Sequence, residues 1–205
     1  MKLVFTGIQG SWKGTQARKL AEAYWYEIVE MWQELRKVID SWTDLWKSLQ
    51  EVMDKWFMVS DELWAEVMKQ AIHRYKNTDK VIFDGFIRTQ WNKEIFDSLL
   101  PSYKVVLFQL SEQKAKMRLL WRMYNPKTWE TFPAHVTVDP KTWDQLIHRS
   151  DDTETSILQR INEYTTQAIP IVEEQKKEHK VIEIHADQDP DAVFYELTQK
   201  LWLNT

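Results

Sequence analysis

The segment Gly7-Ile8-Gln9-Gly10-Ser11-Trp12-Lys13-Gly14-Thr15 packs glycines, two hydroxyls and a lysine between a β-prone run and a helix-prone one. Backbone N–H groups of such a loop, with the positive end of the helix behind them, make an anion site, and Lys13 would reach the terminal phosphates of a nucleotide. The usual phosphate-loop pattern places glycine immediately before that lysine, and here Trp12 stands there. Taken alone, the segment is open between a phosphate loop and an ordinary glycine-rich turn.

The elements that must hold this loop follow from periodicity. Lys2 to Thr6 is a short β-rich run ending in Gly7, and Thr15 to Tyr24 reads as a helix. A polar stretch with helical periodicity runs from about Glu30 to Met58, and Ser60-Asp61-Glu62 opens a helix to Tyr75. Val81-Ile82-Phe83, Val105 to Leu110 and Val181 to Ile184 are continuous apolar runs, as expected of strands buried on both faces. Strands alternating with helices imply an α/β fold with a parallel sheet, right-handed crossovers and a ligand site at the carboxyl ends of the strands. Tyr124 to Ile147, with Pro126, Pro133 and Pro140 and β-prone pieces such as His135 to Val138, reads as an inserted β-rich flap, the alternative being a long surface loop.

Composition narrows the function classes. The chain has 205 residues, enough for one domain with a sizeable core. Its net charge of -4 gives no basic field for nucleic acid or an anionic membrane, so any cationic site is local. No cysteine is present, which excludes disulfides, thiol chemistry and a cysteine-held zinc. The apolar run Leu3 to Phe5 is too short for a leader, and no stretch approaches the ~18 apolar residues of a membrane span, so a cytoplasmic protein is expected. Only four glycines occur, where an average chain of this length has roughly 14. Tryptophan occurs twelve times.

Gly14-Thr15-Gln16-Ala17 continues the loop, followed by Leu35-Arg36, Val59-Ser60-Asp61-Glu62-Leu63, Asp84-Gly85-Phe86-Ile87-Arg88-Thr89, Lys127-Thr128-Trp129, Lys141-Thr142-Trp143 and Arg149-Ser150-Asp151-Asp152. In order and spacing these motifs resemble the adenylate kinase family over nearly the whole chain. The resemblance implies a P-loop three-layer α/β/α core at 1–29, 60–121 and 151–205. It also implies a small helical acceptor-binding (NMP) insertion at 30–59 and a β-rich lid at 122–150. The activity implied is reversible Mg²⁺-dependent phosphoryl transfer from ATP to AMP by a monomer, with nucleotides as the only partners.

Such transfer rests on in-line positioning and on cations that neutralise the moving group. The resemblance implies that Lys13, Arg88, Arg118, Arg122, Arg149 and Arg160 are the catalytic cations. Gly7, Gly10, Ser11, Trp12, Gly14, Thr15 and Gln188 would join Lys13 around ATP. Met31, Arg36, Val59, Gly85 and Asn92 would join Arg88 around the acceptor, and Asp84 would orient Mg²⁺ through water. Asp151 and Asp152 are expected to organise the lid hinge and its arginines.

Met31 replaces a common threonine, Gln33 an aspartate, Ile87 a proline and Asn92 a base-reading glutamine, which leaves UMP and CMP as alternative acceptors. The family has glycine at positions matching Trp12, Trp25, Trp32, Trp42, Trp46, Trp56, Trp121, Trp129 and Trp143, with no clear expectation for Trp64, Trp91 and Trp202. UGA codons read as glycine in the source would explain this, deliberate engineering being the rival. An indole at position 12 is expected to impair ATP binding, so an inactive nucleotide-binding fold is a second reading. A self-associating protein with exposed indole patches is a third.

Overall fold

The computed structural model describes residues 1–41, 61–128, 130–149 and 152–203. Its centre is a five-stranded parallel sheet made of β1 (Lys2–Thr6), β2 (Glu27–Glu30), β3 (Val81–Asp84), β4 (Lys104–Gln109) and β8 (Val181–His185). The strand order is β2-β3-β1-β4-β8. Register places Phe5 beside Asp84 and Thr6 beside Leu107. The carboxyl ends of the two central strands therefore deliver Gly7 and Gly85 to the same edge of the sheet.

Alternation along the strands sorts the side chains to two faces. Val4 and Phe83 pack on one face with Leu35 of α2 (Met31–Ser41), Met68 of α3 (Asp61–Tyr75) and Phe96 of α4 (Gln90–Leu99). Leu3, Phe5 and Ile82 pack on the other with Leu20 of α1 (Lys13–Tyr24) and Leu197 of α8 (Pro190–Lys200). This is the three-layer α/β/α arrangement expected. A smaller cluster joins Leu119 of α5 (Glu112–Leu120) to Ile157 and Ile161 of α6 (Glu154–Glu163) beneath Ile8 of the loop.

One strand is unanticipated and two expectations change. The strand β2 lies in the gap between the helix read to Tyr24 and the polar stretch read from about Glu30, because its four residues carry two glutamates and only its pairing to β3 identifies it. The strand β8 is at the sheet edge, so Val181 to Glu183 are only partly covered and not buried on both faces. In the flap, strands form at β5 (Met123–Tyr124), β6 (Thr131–Phe132) and β7 (Ile147–His148), in the order β6-β5-β7, whereas His135 to Val138 contributes only a single bridge from Val138 to Gln145. Trp42, Trp46, Trp56, Val59, Trp129 and Asp151 lie outside the described residues.

Two turns of the flap carry the related runs Asn125-Pro126-Lys127-Thr128 and Asp139-Pro140-Lys141-Thr142. Buried Asn125 donates through Nδ2 to Asp139 Oδ2 at 2.7 Å and Thr142 Oγ1 at 3.0 Å, tying the turns together. A π-helix (Tyr164–Ala168) follows α6 and precedes α7 (Ile169–Lys177), just before Pro170, which has no N–H to offer the helix. Among the described residues no helix is long and apolar enough to cross a membrane.

Candidate functional site

The loop after β1 is shaped by positions where a side chain does not fit. A Cβ at Gly7, where φ is +144°, would meet the Phe108 carbonyl oxygen at 2.6 Å. Gly10 also has left-handed φ. Fully buried Ser11 turns the chain, its N–H donating to Ile8 O at 3.3 Å. Lys13 Nζ folds back over the loop, donating to Gly7 O at 2.6 Å, Ile8 O at 3.0 Å and Ser11 Oγ at 3.4 Å. Burial lowers its pKa to about 8, partly offset by Asp84, while Arg88 and Arg122 add to the lowering. Trp12 caps α1 in a left-handed conformation, at φ 66°. Its indole lies under Arg118, 4.7 Å from guanidinium carbon to ring centroid.

A cleft of about 420 Å³ opens over this loop. Lys13, Gly14, Thr15, Asp84, Arg118 and Arg122 form its polar wall, and the flap residues Thr131 to Ala134 line it as well. A second cavity of about 130 Å³ shares Gln9, Lys13 and Asp84 with the first and adds Gly85, Arg88, Arg160 and Glu163. Burial pushes the Asp84 carboxyl upward, against the opposing pull of Lys13, Arg88 and Arg18.

Arg122 and Arg160 converge on Asp152. Arg122 donates from Nε at 2.5 Å and Nη2 at 2.8 Å, and Arg160 from Nη1 at 2.9 Å. Arg160 also donates to Gln9 Oε1 at 3.3 Å. Arg118 is committed to carbonyls, with Nη1 donating to Gly10 O at 3.1 Å and Ala186 O at 2.9 Å. Its Nη2 reaches the backbone carbonyl of Gln188, whose own side chain is turned to Glu196. Arg149 lies over the Tyr124 ring, 5.9 Å from its centroid.

On the acceptor side, Gly85 takes left-handed φ at 77°, leaving room for Arg88, whose Nη2 would stand 3.5 Å from an added Cβ. Arg88 lies 5.2 Å from the ring centroids of both Trp32 and Trp64, and burial draws its pKa down to about 10. Arg36, on α2, exerts its field on Glu30. Two expected acceptor residues are differently employed. Met31 is wholly buried in the core, and Asn92 is buried with Oδ1 accepting from Thr89 N at 3.2 Å in a reciprocal cap of α4.

Sequence reasoning missed Gln9, Glu163 and Trp121. Gln9 sits inside the loop motif, yet nothing in the motif assigns it to an arginine. Glu163 faces Arg88 and Arg160 across the smaller cavity and its carboxyl is pushed up by burial. Its cue was its spacing of three residues from Arg160 on one helix face. Trp121 lines the larger cleft beside Arg122.

The family model described as adenylate kinase matches residues 5–180. The chain is 29% identical to adenylate kinase 2 of Schistosoma mansoni, over 96% of this chain and 87% of that one. It is 29% identical to the adenylate kinase of Petrotoga mobilis, over 96% and 95%. A third relative, the adenylate kinase of Vanderwaltozyma polyspora, is 29% identical over 100% and 97%. With the loop, the paired cavities and the cationic walls in one place, and a family match across most of its length, the chain belongs to the adenylate kinase family of phosphotransferases.

Proposed function

We propose that the protein moves the γ-phosphoryl group of ATP reversibly to AMP, with ATP in the larger cleft and the acceptor phosphate in the smaller cavity. The observation that carries this reading is that Lys13 and Asp84 line both cavities. Two nucleotides entering from either side would meet between them.

Lys13, Thr15 and the loop N–H groups bind the donor phosphates, while Gly7, Gly10, Ser11 and Gly14 let the backbone approach. Arg118 adds its charge at the donor cleft, and Gln188, whose carbonyl it meets, completes the ATP side. Arg36, Gly85 and Arg88 hold the acceptor phosphate, and Glu163 sets the field around Arg88. Arg122, Arg149 and Arg160 close on the transferring group as the flap covers it, and their guanidinium forks suit its oxygens. The flap excludes water, so that the acceptor and not water receives the phosphoryl group.

Asp84 suits Mg²⁺. It is a carboxylate lining the same cleft as Thr15, and among the described residues no three His, Asp or Glu side chains cluster as an all-protein cage would require. A cation held mainly by water and phosphate matches that donor set. When bound, Mg²⁺ neutralises charge on the phosphate oxygens. In this reading residues 30–59 are the acceptor-binding insertion and 122–150 the lid of a monomeric enzyme.

The test is ADP formation from ATP, AMP and Mg²⁺, run beside W12G and with UMP and CMP in place of AMP. Activity with AMP in W12G or the unaltered chain supports the reading. Transfer only to UMP or CMP moves the assignment to those acceptors, and no transfer by either chain overturns it.

A further inference from the structure

Among the described residues, five other than glycine have left-handed φ: Trp12 at 66°, Trp25 at 56°, Trp143 at 62°, His179 at 55° and Trp202 at 57°. Four of the five are tryptophan, although tryptophan fills only twelve of 205 positions. A bulky side chain in this region is a steric outlier, because Cβ crowds the backbone carbonyl.

In each case the geometry is imposed by the chain. Trp25 ends α1, its N–H donating to Ala21 O at 3.1 Å. Trp202 ends α8 with its N–H on Gln199 O at 3.1 Å and the next N–H, from Leu203, on Thr198 O at 3.0 Å. That pair of bonds is the helix ending that glycine normally closes. Trp143 completes the second flap turn, donating to Asp139 O at 2.9 Å. Trp12 sets the start of α1 immediately before the lysine of the loop.

The three exposed indoles return little for this strain. Trp25, Trp143 and Trp202 are 80%, 81% and 86% exposed, so none recovers energy by lying across apolar surface. Trp12 packs against the core beneath Arg118, but its buried Nε1 makes no hydrogen bond among the described residues. Trp64 is the contrast. It lies within a right-handed helix and is 7% exposed, its Nε1 donating to Phe86 O at 3.2 Å and its ring meeting Trp32 edge to face at 5.6 Å.

We infer that UGA codons are decoded as glycine at positions 12, 25, 143 and 202 in the source of this protein, and that tryptophan is the true residue at 64. Trp202, for which the family motifs give no expectation, joins the glycine positions on backbone geometry alone. At position 12 the inference rests on the phosphate-loop reading and completes it, since glycine would then stand directly before Lys13. The other three positions do not line the donor cleft.

The test reads the five codons in the gene and the corresponding peptides by mass spectrometry of protein isolated from its source. It then compares melting temperatures of the chain as written, the triple variant W25G/W143G/W202G, and W64G. The expected result is UGA and glycine at the four positions, UGG and tryptophan at 64. The triple variant should melt higher by on the order of 5–10 °C and W64G lower by a similar amount. UGG codons or tryptophan-bearing peptides at the four positions overturn the inference, as does a triple variant that melts no higher. Codon, mass and melting readouts need no nucleotide, so their failure is separate from failure of the ATP:AMP reading.

Discussion

Asp152 holds Arg122 with both carboxylate oxygens, at 2.5 Å to Nε and 2.8 Å to Nη2. The same carboxylate takes Arg160 Nη1 at 2.9 Å, and its side chain is wholly buried. One aspartate therefore sets the spacing of two guanidinia, one lining each of the adjoining cavities, and neutralises part of their charge. In D152N the two guanidinia lose their buried counter-charge. Breaking a buried pair in this way costs about 3–5 kcal/mol, so the melting temperature should fall by on the order of 10 °C. Turnover should fall at least tenfold as the two arginines separate. A calorimetric scan and a coupled ADP assay check both, and an unchanged melting temperature would contradict the pairing.

Lys13 gives a pH dependence with a definite sign. Its folded pKa is about 8, below the ordinary lysine value of 10.5, because burial disfavours the ammonium. Between these values the unfolded chain binds more proton than the folded one, so this group's contribution makes stability rise with pH from about 8 to 10.5. Phosphate binding needs the charged form and runs the other way. ATP affinity measured without Mg²⁺ should fall as pH passes about 8, approaching tenfold per unit. In K13R, whose guanidinium keeps its proton, the fall at pH 8 should vanish. A wild-type affinity that stays level to pH 10 would show that nucleotide does not rely on this ammonium.

The central sheet was legible because β1, β3 and β4 are uninterrupted apolar runs, and α3 begins and ends where its acidic first turn and apolar stripe indicate. The strand β2 was not, since Glu27 and Glu30 flank only two apolar residues and its partner lies over fifty positions away in the chain. The loop, Asp84 and the arginines were legible as an ordered set of motifs. Asp152 holds Arg122 and Arg160 as its expected role at the hinge implies. What the sequence could not show was that Arg118 spends its donors on the carbonyls of Gly10 and Ala186. Those contacts join residues 108 and 68 positions apart, and no spacing rule encodes them.

Asn92 separates a structural role from a recognition role. Its Oδ1 accepts from Thr89 N while its own N–H donates to Thr89 Oγ1, both at 3.2 Å, at the start of α4. If the side chain serves only this cap, N92A should lower stability by about 1 kcal/mol and leave the KM for AMP unchanged. A KM for AMP that rises tenfold, with only that modest stability loss, would assign Asn92 to the acceptor base. Melting curves and initial rates across AMP concentrations distinguish the two.

The flap is joined to α1 by two ion pairs, Arg18 Nε to Glu130 Oε1 at 2.9 Å and Lys141 Nζ to Glu22 Oε1 at 2.6 Å. These pairs bridge α1 and the flap, so on the proposed reading of the flap as a lid they favour its position over the cleft. The first pair is mostly shielded and the second largely exposed, and exposed pairs contribute about 0–1 kcal/mol. E130Q should therefore weaken ATP binding several-fold and E22Q by roughly twofold or less. Because exposed pairs are screened most, the E22Q penalty should vanish and the E130Q penalty shrink less as ionic strength rises from about 0.01 to 1 M, where the Debye length falls from about 30 to 3 Å. Melting temperature should hardly move, since neither pair belongs to the core. ATP affinity measured across that salt range decides the matter: a penalty that shrinks with salt identifies an electrostatic latch on the flap, whereas one that is independent of salt shows that the glutamates act through packing.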